Sequence, residues 1–277
     1  MIRFKIALFF FSCFNFLNAQ PNTIKETESE TIALALELYK SESASWQSTD
    51  LLLEQHKNLL ASVKGYISYN EGEVTKSIYY GGNHEKVFFQ VTFKDLLKFR
   101  NLYEIDTVVR EITPFEKRLI SVRELARMNM SQNVGDIFTT YQKTSINFVP
   151  VAFEDRLFVF AFTAPKETGV VLLGNDYVFR FDEKDALLEV NKMHNSLLQF
   201  KVDAETTYHS HVLDEYPLMT ATDLCTLMLY APYISWKSHI VFSEDYVSLW
   251  NKDKEGFLVL TKAAWEKINT TDKSNEN

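Results

Sequence analysis

The chain has 277 residues, a formal net charge of −8, 46% hydrophobic residues and 14% aromatic residues. A chain of this length forms one large domain or two modest ones, and its apolar and aromatic residues are enough for a packed core. These values exclude a wholly disordered chain. With only 8 glycines and 6 prolines, the sequence also excludes a collagen-like or linker-rich protein.

The N-terminus has the pattern of a secretory signal peptide. Arg3 and Lys5 precede an apolar run over residues 6–17, and Asn18-Ala19 offers a cleavage site after Ala19. The apolar run of about 12 residues is shorter than the roughly 20 that a membrane-spanning helix needs. We therefore expect an exported protein, periplasmic or extracellular, with residues 1–19 removed and no stable membrane span afterwards.

Cleavage would leave an acidic chain with one cysteine. Residues 1–19 contain Arg3, Lys5 and no acid, so the mature chain has 27 basic and 37 acidic residues and a net charge of −10. An acidic surface repels phosphate backbones, and we expect no nucleic-acid partner. Because only Cys225 remains, any metal site must use histidines and carboxylates, and the oligomeric state stays open.

Residues 20–140 predict an N-terminal accessory region of helices and a hairpin. Apolar spacing favours two helices, around residues 32–39 and 52–63. Gly81-Gly82-Asn83 is a turn signal. Thr113-Pro114-Phe115-Glu116 predicts a helix start with a capping box, for a helix that runs to about Gln132. The strands are expected at residues 66–69, 74–80 and 86–93.

The residues beyond 140 are dominated by strand patterns, with one clear helix at residues 221–230. We expect an α+β fold in which residues 145–265 form a mixed β-sheet flanked by helices, with the N-terminal helical and hairpin lobe beside it. Residues 266–277 are expected to be a tail. The strands are expected at residues 147–153, 157–162, 169–173, 177–181, 206–211, 239–242, 246–250 and 257–260.

Three residues of the C-terminal half form a candidate zinc site. His209 and His211 are two apart on a predicted strand, so both imidazoles point to one face and reach one ion. Thr220-Ala221-Thr222-Asp223 opens a helix and places the carboxylate of Asp223 in its first turn. Two imidazoles and one carboxylate leave a fourth position on Zn²⁺ for water, as in hydrolytic zinc sites.

These residues resemble the JAMM (MPN-plus) metallopeptidase motif, in which a His-x-His pair is followed by Ser/Thr-x-x-Asp. The segment from Glu167 to Gly174 resembles the upstream segment of that family, and the resemblance covers roughly residues 150–260. It implies a JAMM-like, deaminase-like sandwich with zinc bound by His209, His211 and Asp223. It further implies that Glu167 activates the water as general base and that Thr220 supports the oxyanion.

Two functions follow from this resemblance. The first is an exported zinc-dependent peptidase or isopeptidase that acts on a peptide or protein substrate. The alternative is a catalytically inactive JAMM-like module that binds a protein or envelope partner. Glu167 separates them, because the enzyme needs its carboxylate within one water of the zinc. The sequence departs from the family at Val212, where proline is usual, and at Gly169, which comes one position early.

Each site residue also has an ordinary structural explanation. The two histidines could be exposed strand residues, and Asp223 could simply stabilise the start of a helix behind Thr220. Glu167 could be an ordinary loop carboxylate. His194, between Met193 and Asn195, is expected to face solvent.

Overall fold

The computed structural model describes residues 22–81, 86–98, 102–254 and 256–274. The predicted signal peptide, residues 1–19, and the last two residues of the Gly81-Gly82-Asn83 turn lie outside these ranges. Within the described part of the chain, no helix is long and apolar enough to cross a membrane.

A long helix begins the described structure. Helix α1, Asn22–Gln55, has 34 residues, and a 3₁₀ helix over Lys57–Ser62 follows it. The prediction of two separate helices was wrong, because α1 continues through the mainly polar residues 40–50 that lie between the two apolar stretches. In the structure, Ser45 Oγ and Thr49 Oγ1 donate to carbonyls one turn earlier in α1. Ser45 Oγ also lies 2.7 Å from Ser68 Oγ, so the serine face packs closely on the neighbouring sheet.

The N-terminal sheet is antiparallel, with strand order β1-β2-β3-β4, and β5 also pairs with β3. It confirms the three strands predicted in this region. Its strands are β1 Gly65–Glu71, β2 Val74–Gly81, β3 Lys86–Lys94, β4 Tyr103–Asp106 and β5 Arg110–Glu111.

Helix α2, Pro114–Gln132, starts where the capping box predicts it. Thr113 accepts from the backbone of Glu116, and the Glu116 carboxylate accepts from the backbone of Thr113. The same carboxylate is fully buried and also receives Tyr69 Oη at 2.7 Å and Arg110 Nη2 at 2.6 Å. The helix start is thereby tied to the N-terminal sheet.

The C-terminal half contains a four-stranded antiparallel sheet, a two-stranded ribbon and a four-stranded mixed sheet. In the antiparallel sheet the order is β10-β9-β7-β6, and the ribbon pairs β8 with β11. These strands are β6 Thr144–Phe153, β7 Arg156–Pro165, β8 Val170–Gly174, β9 Tyr177–Phe181, β10 Leu187–Lys192 and β11 Leu197–Lys201.

The mixed sheet has the order β12-β13-β14-β15, in which β12 and β13 run parallel and the other pairs antiparallel. Helix α4, Lys262–Ser274, occupies most of the residues that were expected to be a tail. The remaining elements are β12 Thr206–Ser210, α3 Ala221–Tyr230, a 3₁₀ helix Ala231–Tyr233, β13 Ser238–Phe242, β14 Tyr246–Asn251 and β15 Gly256–Thr261.

The turn over residues 174–176 passes the chain from the ribbon to the antiparallel sheet. Gly174 has φ +90°, and a Cβ atom there would lie 2.2 Å from the carbonyl oxygen of Ser196. Glycine is therefore required, because both the left-handed backbone and the close approach exclude a side chain. Asn175 N donates to the same carbonyl at 3.1 Å, which fixes the turn against the connection between β10 and β11.

Helix α1 shares a core with the C-terminal elements. Ala35, Leu38 and Tyr39 pack in one buried cluster with side chains of β6, β7 and α3. The structure confirms the α+β class with antiparallel and mixed sheets, and it does not show the arrangement expected of a JAMM-like domain. The division into an accessory region and a C-terminal domain stays a prediction.

One buried acid of α1 gives the fold a pH dependence. Glu42 is 5% exposed, and burial raises its pKa to about 7, although Asn147 Nδ2 donates to it at 2.9 Å. Because the folded-state pKa lies above the unfolded value, the protonated form is favoured on folding. The contribution of Glu42 to stability is therefore lost as the pH rises from about 4.5 to about 7.

We expect Glu42→Gln to be more stable than the parent at pH 8 by roughly 1–3 kcal/mol, and this difference to shrink by pH 5. Urea unfolding at the two pH values measures it. Glu54→Gln, an exposed position of the same helix, is the control and should show no such difference. An advantage of Glu42→Gln that is equal at both pH values would contradict this account.

Candidate metal centre

Four side chains of the C-terminal half converge on one buried point. One donor atom from each of His194, His209, His211 and Asp223 lies within 4.8 Å of the other three. His211 Nε2 is central to the set, 2.9 Å from His209 Nε2, 3.1 Å from His194 Nε2 and 3.4 Å from Asp223 Oδ2. All four residues are buried, and Asp223 has no exposed surface.

Strand β12 presents the two predicted histidines to the same side. Tyr208 and Ser210 are exposed, whereas Thr207, His209 and His211 are buried, so the expected alternation is observed. His211 lies one residue beyond β12 and keeps the strand register, because its backbone N donates to Phe242 O at 2.8 Å. The prediction that both imidazoles face one side is confirmed.

The start of α3 positions the carboxylate. Thr220 is the N-cap, and its backbone N and Oγ1 donate to Asp223 Oδ2 at 3.0 Å and 2.9 Å. Asp223 N in turn donates to Thr220 Oγ1 at 3.1 Å. The helix-capping role of Asp223 and its place in the cluster are thus one arrangement. Its other oxygen, Oδ1, is buried with no hydrogen-bond partner among the described residues.

His194 is the fourth member, and the prediction that it faces solvent was wrong, since it is 5% exposed. It lies between β10 and β11, where Met193 N donates to Asp176 O at 2.9 Å. His194 Nε2 lies 3.1 Å from Asp223 Oδ2. No local motif marks this residue, because its position depends on contacts with the distant turn over residues 174–176.

The outer ring nitrogens of the histidines on β12 also have partners. His211 Nδ1 lies 2.9 Å from Tyr216 O. A carbonyl only accepts, so Nδ1 of the neutral ring carries the hydrogen and Nε2 turns its lone pair into the cluster. His209 Nδ1 lies 2.9 Å from His239 Nε2, and His239 Nδ1 lies 2.7 Å from Thr207 Oγ1. Such outer partners fix the tautomer of metal-binding histidines.

The outer nitrogen of His194 faces a second buried carboxylate. His194 Nδ1 lies 3.4 Å from Asp176 Oδ2, longer than an ordinary hydrogen bond. Asp176 is 4% exposed and accepts from Thr222 Oγ1 at 2.8 Å. Because Thr222 belongs to the first turn of α3, the helix start holds both carboxylates around His194.

The surroundings shift the pKa values of the cluster residues in opposite directions. Burial alone would lower the pKa of His194, but the carboxylates of Asp223 and Asp176 raise it to about 10. Burial, with the neighbouring imidazoles, lowers the pKa of His209 to about 3 and that of His239 to about 4. Burial would raise the pKa of Asp223, yet the facing histidines hold it well below its usual range. The two carboxylates therefore favour the protonated form of His194.

The donor set and its spacing fit one transition-metal ion. Two ligands bound to Zn²⁺ at about 2.0–2.2 Å lie roughly 3–3.5 Å apart. Four of the six separations in the cluster, 2.9, 3.1, 3.1 and 3.4 Å, are close to that size, and the other two are at most 4.8 Å. Asp223 Oδ1 is buried and accepts no hydrogen bond among the described residues, so it is a donor atom available to an ion.

Glu167 and Thr220, the two residues expected to act in catalysis, make contacts that do not match those roles. The side chain of Glu167 is half exposed and pairs with Lys143 Nζ at 2.6 Å, and it is not in the cluster. The hydroxyl of Thr220 is occupied in the cap of α3 and contacts Thr222 Oγ1 at 3.0 Å. Of the residues named from sequence, His209, His211 and Asp223 come together.

Comparison with known proteins gives no relative. No family model matches this chain, and neither a curated protein nor a solved structure is significantly similar to it.

The capping role of Thr220 can be tested directly. Thr220→Val removes a hydroxyl that donates to the buried Asp223 carboxylate and accepts from the backbone N of Asp223. We therefore expect the free energy of unfolding to fall by roughly 1–2 kcal/mol. Thr220→Ser keeps the hydroxyl and should remain close to the parent. Thr206→Val, at an exposed position of β12, is the control in the same denaturant-unfolding measurement. Equal stabilities for the valine and serine variants at position 220 would contradict the role.

Proposed function

We propose that this protein binds one zinc ion through His194, His209, His211 and Asp223, and that the ion joins three chain segments into one rigid unit. The convergence of these four buried donors is the observation that carries the proposal. The donors come from the β10–β11 connection, from the end of β12 and from the first turn of α3. An ion bound by all of them would cross-link these segments.

The chemistry of the donors supports a transition metal, with zinc as the proposed ion. Calcium and magnesium prefer sets of oxygen ligands, whereas this set has three imidazoles and one carboxylate. Imidazole suits zinc, copper, iron and nickel. Zinc is proposed because its usual ligands are these residue types and because it needs no redox partner.

A structural rather than catalytic ion is supported by the number of protein donors. Structural zinc sites have four protein ligands, whereas catalytic sites keep a position for water. The sequence alone offered three ligands, and His194 supplies a fourth at the position where a hydrolase would hold water. None of the four residues is more than 8% exposed, which limits access of a substrate to the ion.

The hydrolase implied by the JAMM resemblance has less support. Its general base would be Glu167, which pairs with Lys143 on the surface. Asp176 is the other carboxylate close to the cluster, and it is buried against Thr222 and His194. The alternative function, an inactive module whose metal maintains a binding surface, agrees better with this geometry.

The test is zinc content and its effect on stability. We expect the purified chain to carry about one zinc by elemental analysis, and its melting temperature to fall when a chelator removes the ion. The double variant His209→Ala, His211→Ala should carry none and should not respond to the chelator. Ser210→Ala, the exposed residue between them, is the matched control and should behave as the parent.

Zinc uptake by the double variant at the parent's level would place the site elsewhere. A parent chain that neither takes up zinc nor gains stability from it would leave the cluster as a hydrogen-bonded histidine–aspartate network. Peptide hydrolysis that depends on zinc and disappears in Glu167→Gln would overturn the structural role in favour of the enzyme.

Asp176 gives a second prediction from the same site. Its carboxylate orients His194 from outside the cluster, so Asp176→Asn should weaken zinc binding roughly 10- to 100-fold. Thr222 Oγ1 can still donate to the amide oxygen, which preserves the local fold. Competition with a chelating dye measures the affinity, and Asp155→Asn, in the exposed turn between β6 and β7, is the control. An unchanged affinity would exclude this orienting role.

A further inference from the structure

A large groove lies on a different face of α3 from the metal centre. It has a volume of about 1180 Å³, and its lining is mainly apolar. Asp223 turns into the cluster, while the next residue, Leu224, and Met228 one turn later line the groove. Residues that contribute to its walls are Leu36, Tyr39, Leu224, Met228, Trp250 and Phe257.

The walls come from parts of the molecule that are rigidly packed behind the groove. Tyr39, Leu224 and Trp250 belong to the same buried core cluster, and each is less than 5% exposed. On the opposite rim, Leu97 and Leu102 are about half exposed, at 46% and 50%. The groove therefore has a firm apolar floor and an apolar rim that solvent reaches. Its volume is slightly above the roughly 300–1,000 Å³ usual for pockets that bind small molecules, which leaves room for a long alkyl chain.

Two lysines are the charged residues among the described residues that line the groove. Lys98 Nζ pairs with Asp95 Oδ2 at 3.1 Å. Lys252 Nζ donates to Ile234 O at 2.7 Å, and among the described residues no carboxylate lies within 4.0 Å of it. The groove thus combines an extended apolar lining with one ammonium group, that of Lys252, which has no carboxylate partner among the described residues. The local positive charge of Lys252 attracts an anion.

We propose that this groove binds a free long-chain fatty acid, with the alkyl chain along α1 and α3 and the carboxylate at Lys252. The apolar walls take up methylene groups, each of which contributes about 0.8 kcal/mol when it leaves water. The single ammonium of Lys252 matches a single carboxylate, and a charge-assisted hydrogen bond between them fixes the orientation of the chain. This site is independent of the zinc ion, so the two proposals fail separately.

The test is displacement of a fluorescent fatty-acid probe from the purified full chain by hexadecanoate and by hexadecanol. We expect hexadecanoate to displace the probe at lower concentration than hexadecanol does. Lys252→Gln should weaken hexadecanoate about 10-fold, the equivalent of ~1.4 kcal/mol, and leave hexadecanol unchanged. Lys252→Arg should restore the preference for the acid. Lys184→Gln, in the exposed turn between β9 and β10, is the matched control.

Groove-filling variants test the location of the alkyl chain. Met228→Trp should abolish displacement by both ligands. If this variant does not fold, Leu102→Arg, at the half-exposed rim, provides a second test and should weaken displacement by both ligands. No displacement by hexadecanoate in the parent overturns the proposal, as does an equal effect of Lys252→Gln on acid and alcohol. A dimer that hexadecanoate does not dissociate, and that Leu102→Arg does dissociate, would assign the groove to a second copy of the chain.

Discussion

The buried carboxylate of Asp223 is the group around which the C-terminal half is organised. Burying a charged carboxylate costs several kcal/mol unless donors and opposite charges surround it. Here Thr220 supplies two donors to Oδ2, and the ring of His194 lies 3.1 Å from the same oxygen. Since these partners come from different parts of the chain, the need to compensate one charge fixes a helix start, a strand end and a loop together.

The same arrangement explains why the cluster suits an ion. Zinc bound at the three Nε2 atoms and the Asp223 carboxylate would replace the proton of His194 as the compensating positive charge. Tyr216 O and His239 already bond the outer ring nitrogens of His211 and His209, and the Asp176 carboxylate faces that of His194 at 3.4 Å, so the imidazoles are oriented before any ion binds. Preorganisation of this kind supports tight binding, because little reorganisation of the ligands is needed when an ion enters.

The parts of the site that depend on near neighbours could be predicted from sequence. The alternation at His209 and His211 and the capping box at Thr220 and Asp223 follow from backbone geometry over two or three residues. His194 could not be predicted, because it reaches the cluster through the turn at residues 174–176, which joins two different sheets. Likewise apolar spacing predicts two helices in place of α1, because the serines between the two apolar stretches bury their hydroxyls against the distant N-terminal sheet. Glu167 was named from a segment that departs from the family it resembles, because Gly169 comes one position early.

Anomalous diffraction at the zinc absorption edge, from crystals of the chain as purified, tests the central claim most directly. The account predicts one strong peak about 2.0–2.2 Å from His194 Nε2, His209 Nε2, His211 Nε2 and an oxygen of Asp223, with no water in the coordination sphere. A peak bound by fewer of these residues and by a water would contradict the closed site. Well-ordered side chains at the observed positions with no peak between them would contradict metal binding itself.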